Sequence, residues 1–306
     1  MTSPTPLAAA RAGTYKLGER SVARMGYGAM QLRKLMSEPA KAMTLLEHAV
    51  ALGVDHFDTA QFYSDGAINA LIGGVARANV GITVASKIGA DPNPGGKVPM
   101  RPAQRPEQLR ASIEDNLRSL GLDHIPVVNL RRLDVGPGLR AEGDQVVDVD
   151  DQLATMIALR GEGKIGAIGL SAVSLATVQR AIPAGIVCVQ NAYSLVNQEF
   201  EDVLALCRRE NVAWVPFFPL GGAYPGMSKV VEQHEIVAIA RRLGITPTQL
   251  GLTWLLSHAP NILLIPGTTD RVHLEENVAA AAIDLPDGVL AKLDAFDPPP
   301  PGDIAV

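Results

Sequence analysis

The sequence predicts an α/β protein of the (β/α)8 TIM-barrel class, with an N-terminal β-hairpin as plug and long loops after some strands. Three observations predict it. Short apolar or β-branched runs alternate with amphipathic stretches along nearly the whole chain, as in a parallel sheet wrapped by helices. Eight runs and eight helical patterns can be read, the number that closes a barrel of this class. No G-x-G-x-x-G follows the first run, which weakens the runner-up, a doubly wound sheet. The 306 residues exceed an ordinary domain, but such barrels reach about 250 residues as one unit. With no linker or break in composition, residues 1–306 read as one domain with loose tails at 1–13 and 297–306.

In chain order, TYKLGERSVARMG suggests a small β-hairpin that would plug the barrel bottom. The strand-like runs are ARMGYG (23–28), VDHFDT (54–59), GITVASK (81–87), IPVVNLR (125–131), IGAIGLS (165–171), IVCVQN (186–191), VAWVPFF (212–218) and NILLIPG (261–267). Between them lie PAKAMTLLEHAVALG, INALIGGVARA, PEQLRASIEDNLRSLG, DQLATMIALRGEG, SLATVQRAI, EFEDVLALCRREN, VVEQHEIVAIARRLG continuing into TPTQLGLTWLLSHA, and DRVHLEENVAAA. Their apolar residues recur every three or four positions, which gives each helix one buried stripe. Gly53, Gly121 and Gly244 fall just past a last turn, where a left-handed cap is wanted. Two long inserts follow strands, at 89–106 after the third and 221–230 after the seventh.

Composition narrows the partners. With 47% hydrophobic and 19% charged residues the chain can bury a large core, so disorder is excluded. Net charge is −5 and no Lys/Arg block stands out, which argues against nucleic acid. The longest apolar runs are too short to span a bilayer, and MTSPTPLAAARAG lacks the basic start and apolar core of a signal peptide. A cytoplasmic protein is expected, monomer or homo-oligomer undecided. Cys188 and Cys207 read as reduced, buried thiols, and His48, His124, His234 and His258 lie without metal spacing, so no metal site is expected.

In such a barrel, function sits at the C-terminal strand ends. Here these are Asp58, Lys87, Arg131, Ser171, Gln190 with Asn191, Phe217, and the run from Pro266 through Gly267, Thr268, Thr269 and Asp270 to Arg271. Period-two alternation places Val54, His56 and Asp58 on one strand face, and likewise Thr83, Ala85 and Lys87, and Val127, Asn129 and Arg131. An acid, an amine and, from the adjoining loop, the phenol of Tyr63 thus converge over the barrel mouth. An ordinary tyrosine hydroxyl, with pKa about 10, is a poor proton donor at neutral pH. A neighbouring ammonium favours the phenolate. Asp58 would keep Lys87 charged and aimed, so that Lys87 polarises the Tyr63 hydroxyl into a general acid for carbonyl reduction. A hydride source is then required. Against this stand plainer roles: Asp58 as a loop cap, Tyr63 as a surface aromatic.

These residues carry a resemblance. From about Tyr15 to Leu293 the chain resembles the aldo-keto reductase family, through FDTAQFY, the strand-end lysine of VASKIG, GKIGAIGLS, CVQNAYSL, VPFFPLGG and IPGTTDRVHLEENVAA in that order. The resemblance implies a barrel that binds NADP(H) in an extended pose, NAD(H) being less favoured, and a small carbonyl compound as substrate. It implies that Asp58, Tyr63 and Lys87 are catalytic, that Ser171 and Gln190 hold the nicotinamide carboxamide, and that Phe217 stacks on its ring. Pro219, Leu220 and Gly221 of VPFFPLGG would border the cofactor, with Gly221 and Gly222 either admitting the pyrophosphate or forming a plain turn. Gly267, Thr268, Thr269 and Arg271 would take the 2′-phosphate, where free N–H groups of a helix start favour anions, and Glu276 and Asn277 the adenine end. Tyr224 to Met227 would form a lid or a loop without contact.

The departures matter. Arg131 stands where the family has histidine; it cannot donate a proton at physiological pH but offers fixed N–H donors, so it is expected to orient the carbonyl oxygen and stabilise charge there. The rival reading pairs it with Asp134 and leaves a crippled site. Gly267 replaces a lysine and His273 an arginine near the phosphate, Asp270 reads as a helix N-cap, and Ala172 replaces an asparagine beside the nicotinamide. His56 is expected to be a hydrogen-bonded core residue, Trp214 to pack outside its strand, and Phe62 to line the substrate pocket. The VVNLR arginine, MGYGAMQL, VPFFPLGG and NILLIPGT resemble the bacterial branch containing pyridoxal reductases, which implies a pyridoxal-like aromatic aldehyde. A natural-product tailoring reductase and an NADP(H)-binding sensor with little turnover remain alternatives. A barrel glycosidase needs paired carboxylates at strand ends and is excluded by Arg131 and Phe217.

Overall fold

A computed structural model of the chain describes residues 8–96, 98–222 and 226–297. Strands β1 (Thr14–Leu17) and β2 (Arg20–Ala23) pair antiparallel as the expected hairpin. The barrel strands follow: β3 (Tyr27–Gly28), β4 (His56–Asp58) and β5 (Thr83–Ile88). The insert after β5 is not a plain loop: it contains a second hairpin, β6 (Ala90–Pro92) with β7 (Met100–Pro102). Then come β8 (Ile125–Arg131), β9 (Ile165–Ser171), β10 (Ile186–Gln190) and β11 (Ala213–Trp214). β3, β4, β5, β8, β9, β10 and β11 are parallel neighbours in that order.

The eighth run, NILLIPG, closes the ring by isolated bridges rather than a ladder. Ile262 pairs with Trp214 on one side and Leu264 with Met25 on the other, both parallel. Leu263 N–H donates to the Trp214 carbonyl at 2.9 Å, and Leu264 N–H to that of Arg24 at 2.8 Å. The buried Arg24 guanidinium fastens the same seam, donating to the carbonyls of Ile262 (3.0 Å), Leu256 (2.8 Å) and Ala259 (2.6 Å).

Helices α1 (Pro39–Ala51), α2 (Ala67–Ala78), α3 (Pro106–Leu120), α4 (Val149–Gly161), α5 (Leu175–Ala181), α6 (Glu201–Arg209), α7 (His234–Leu243), α8 (Pro247–His258) and α9 (Arg271–Ala279) surround the strands as expected. A further helix, α10 (Asp287–Asp294), was not read from the sequence; at eight residues its amphipathic pattern is short. Gly121 and Gly244 cap α3 and α7 with φ of 62° and 69°, while Thr246 and Gln249 form a capping box at α8. Outward strand residues such as Phe57, Val128, Leu130, Ile168, Leu170, Val189 and Trp214 pack under the helices, each full burial contributing about 1.5–3 kcal/mol. Trp214 therefore lies outside its strand, as expected. Inside, Leu17 and Val22 of the hairpin plug the bottom against Val127, Ala167, Cys188 and Leu263.

One expectation needs correcting at the N-terminus. Residues 8–10 form a 3-10 turn, Ala9 is fully buried and its N–H donates to the Leu52 carbonyl at 3.0 Å. A small apolar side chain fits the gap at the end of α1, so the segment from Ala8 onward is fastened rather than loose. The rest of both expected tails, residues 1–7 and 298–306, lies outside the described residues. No helix among the described residues is long and apolar enough to cross a membrane.

Candidate active site

The inward residues of successive strands, stacked by the alternation, put polar groups at the C-terminal rim. β4 presents Asp58 and β5 presents Lys87, both almost wholly buried. The Lys87 Nζ donates to Asp58 Oδ1 and, at 3.0 Å, to the Thr59 carbonyl. The other carboxylate oxygen accepts from Gln190 Nε2 at 2.7 Å. Burial alone would lower the Lys87 pKa; the Asp58 carboxylate and the Tyr63 hydroxyl outweigh it and hold the ammonium above the ordinary lysine value. The same ammonium lies 5.2 Å from the centre of the Tyr63 ring. Tyr63 itself is half-buried and packs edge-on against Phe62, with ring centres 5.1 Å apart.

Arg131 ends β8 with only 8% of its surface exposed. Its Nη1 reaches Ser171 Oγ at 3.5 Å, and its guanidinium carbon sits 5.6 Å from the Phe217 ring centre. The rival partner, Asp134, is taken instead by Arg132, at 3.1 Å, and by the Thr177 hydroxyl, at 2.7 Å. Alternation explains the difference: Arg132 follows Arg131 and points the other way.

Asp58, Phe62, Tyr63, Lys87, Arg131 and Phe217 line one cleft of about 510 Å³. Pro219, Leu220, Gly221, Gly267 and Asn277 line it too. Ser171 and Gln190 stand buried just behind the wall. Thr268, Thr269, Arg271 and Glu276 lie beyond the cleft lining, at and after the start of α9. There Asp270 caps the helix by accepting from His273 N–H at 3.0 Å, and Arg271 pairs with Glu275 at 3.0 Å. Gly221 and Gly222 have φ of 77° and 36°. A Cβ on Gly221 would lie 2.1 Å from the Ser228 carbonyl oxygen, so the local turn alone requires glycine there. Ala172 occupies the left-handed region at φ 53°, a conformation that an asparagine would tolerate better.

Reading by strand ends missed Met30, Gln31 and Arg33, which line the cleft from the 3-10 helix Ala29–Leu35 that follows β3. The signal was present, since AMQL directly follows the first strand run, and segments after strands form the active face. Phe218 and Met100 were missed as well. His56 is a core residue, but neither ring nitrogen has a hydrogen-bond partner. Its ring packs over Gly26, where any Cβ would collide with it at 2.1 Å, and the Asp55 carboxylate, which accepts from the Ala23 N–H at 3.0 Å, stays 3.7 Å from His56 Nδ1. Tyr224 and Pro225 of the expected lid lie outside the described residues. No group of three or more His, Cys, Asp or Glu among the described residues is arranged to hold a metal ion.

A nicotinamide nucleotide fits this donor set. Gln190 Oε1 is buried without a hydrogen-bond partner, a ready acceptor for a carboxamide N–H, and the half-exposed Phe217 ring faces the same cleft. Compared with known proteins, residues 24–298 match the aldo/keto reductase family. The chain is 39% identical over 290 residues to pyridoxine 4-dehydrogenase of Escherichia coli (strain K12), spanning 92% of this chain and 98% of that protein. An aldo-keto reductase from Klebsiella pneumoniae in complex with NADPH shares the fold, with a TM-score of 0.77, 24% identity and coverage of 95% and 99%. Another from Klebsiella pneumoniae, in complex with NADP and acetate, has a TM-score of 0.75 and 25% identity over 96% and 98% of the two chains.

Proposed function

The chain belongs to the aldo/keto reductase family and is an oxidoreductase; from that premise we propose that it reduces a pyridoxal-like aromatic aldehyde to the alcohol with NADPH, Tyr63 giving the proton. The observation that carries this reading is the sealed Asp58–Lys87 pair facing the phenol at the cleft wall. The relationship to a pyridoxine 4-dehydrogenase supports the substrate class.

When bound, the nicotinamide supplies the hydride. Phe217 offers its ring face for stacking, and Ser171 and Gln190 offer polar atoms at the carboxamide end. Pro219, Leu220, Gly221, Gly267 and Asn277 border the rest of the nucleotide, with Glu276 toward the adenine. Because Asp270 already occupies an N–H group of the first helical turn, recognition of a 2′-phosphate falls to Thr268, Thr269 and Arg271. The Tyr63 O–H bond breaks toward the substrate oxygen, and the Lys87 ammonium stabilises the phenolate left behind. Asp58, held in turn by Gln190, keeps that ammonium charged and aimed. Arg131, permanently cationic, orients the carbonyl oxygen and stabilises its growing charge.

NADPH and NADH are titrated separately by nicotinamide fluorescence, and aldehydes including pyridoxal are then mixed with the loaded protein by stopped flow. NADPH is expected to bind more tightly. Tyr63→Phe should bind it like the parent while losing about 10²–10⁴ of the turnover, the usual worth of general acid catalysis. Full turnover in that variant would overturn the assignment. Preference for ketones from natural products would point to a tailoring reductase, and oxidation at background rate with every carbonyl compound to a nucleotide-binding sensor.

A further inference from the structure

Behind the cleft lies a buried polar network that no step above uses. Thr59, Asn69 and Ser86 are fully buried and Asn116 is 1% exposed. The Thr59 hydroxyl donates to Asn69 Oδ1 at 2.8 Å. Asn69 Nδ2 donates to Asn116 Oδ1 at 3.1 Å, to Ser119 Oγ at 3.0 Å and to Gln61 Oε1 at 3.2 Å. Asn116 Oδ1 also accepts from Ser86 Oγ at 2.5 Å, while its Nδ2 donates to the Ser112 carbonyl at 2.8 Å and the Lys87 carbonyl at 3.4 Å. Four elements thus meet at two amides: the loop after β4, α2, α3 and β5.

Helix geometry explains why these amides meet. Gly73 stands one turn after Asn69, and Leu120 one turn after Asn116. A Cβ on Gly73 would lie 1.8 Å from the Leu120 carbonyl oxygen, so only glycine lets α2 and α3 approach this closely. The loop so anchored runs from Thr59, whose carbonyl accepts from Lys87 Nζ at 3.0 Å, to the start of α2 at Ala67, and it carries Tyr63 midway. Both ends of the amine–phenol pair are therefore tied to one network.

We propose that Asn69 and Asn116 are positioning residues, which act through Thr59 and the β5 backbone to hold the Tyr63 hydroxyl in register with the Lys87 ammonium. This rests on the reading of Tyr63 as proton donor. Thr59 has two tasks in one residue: its hydroxyl is clamped by Asn69 so that its carbonyl stays beneath Lys87. Buried networks of this kind are rigid when every member is satisfied, and displacements near 1 Å at a reacting group cost up to about a hundredfold in rate.

The test uses the full chain with NADPH and the best aldehyde found. Thr59→Val keeps the shape and removes only the hydroxyl; Thr59→Ser restores it; Asn69→Ala and the Thr59→Val/Asn69→Ala double variant complete a cycle. Thr59→Val and Asn69→Ala are each expected to lower kcat about tenfold or more, with the NADPH Kd within about twofold. Thr59→Ser should recover most of the rate, and the double variant should lose little beyond either single one, since both cut one link. Unchanged kcat in Thr59→Val would overturn the proposal, as would additive losses that track NADPH affinity or melting temperature. Should Asn69→Ala fail to fold, the Val/Ser comparison at Thr59 decides alone. Tyr63→Phe is run beside them: if it keeps full turnover, the reading of the proton donor fails, whereas an inactive Tyr63→Phe with a fully active Thr59→Val fails only the positioning role.

Discussion

Lys87 is buried with an acid, a carbonyl and a phenol around it, so its charge is sustained by few partners. Removing one partner of a buried pair leaves the other uncompensated, and Lys87→Met is expected to cost about 3–5 kcal/mol of stability in urea unfolding. Asp58→Asn combined with Lys87→Met should cost less than Lys87→Met alone. The pH dependence follows from the raised lysine pKa. Its contribution is complete below the ordinary value of 10.5 and lost only as pH climbs through the higher folded value. The gap between parent and variant should therefore be flat from pH 7 to pH 9. Arg131→Met removes fixed donors at the cleft wall, with kcat expected to fall about 10²–10³-fold while NADPH affinity is nearly kept. Both residues were legible in the sequence, because a strand-end lysine and arginine sit in phase with Asp58. That Arg132, and not Arg131, takes Asp134 was decided by which way each side chain leaves the strand.

At the scale of elements, long periodic segments were the legible ones. β8 and β9 span the residues read from the sequence, and α1 to α9 fall where their stripes predict. The shortfalls are short pieces: β11 has two ladder residues, the eighth strand only bridges, and α10 eight residues. In such segments neighbours, not periodicity, choose the conformation. Gly73 illustrates a feature hidden from periodicity. In an isolated helix Gly→Ala gains about 1 kcal/mol, but here the added carbon would sit 1.8 Å from a backbone oxygen. The clash wins, and Gly73→Ala is expected to destabilise by about 1–3 kcal/mol in denaturant titration.

At the scale of the molecule, closure is the decisive event. Arg24 ties the last strand and the end of α8 to the first strand through three carbonyls. Arg24→Met would leave these acceptors buried without that donor, at about 1–3 kcal/mol for each unsatisfied group. Its melting temperature, followed by circular dichroism, should fall by about 5–10 °C. Both thiols are buried, Cys188 inside the barrel and Cys207 between α6 and the strands. Burial pushes the Cys207 pKa up to about 12 and that of Cys188 higher still, so neither is thiolate at neutral pH. Iodoacetamide should label neither while the chain is folded and both in urea, as counted by mass spectrometry.

Alternation and residue type determined the barrel class, the order of strands and helices, and the set of polar residues at the strand ends, because each depends on spacing within one segment. Contacts between segments were settled only in three dimensions. The hydrogen bond of Gln190 to Asp58, the shared amides of Asn69 and Asn116, and the cleft lining that Met30, Gln31 and Arg33 share with Phe217 all join residues far apart in the chain. Their partners are chosen by the stagger of the strands and the closeness of the helices, which arise only when the ring shuts.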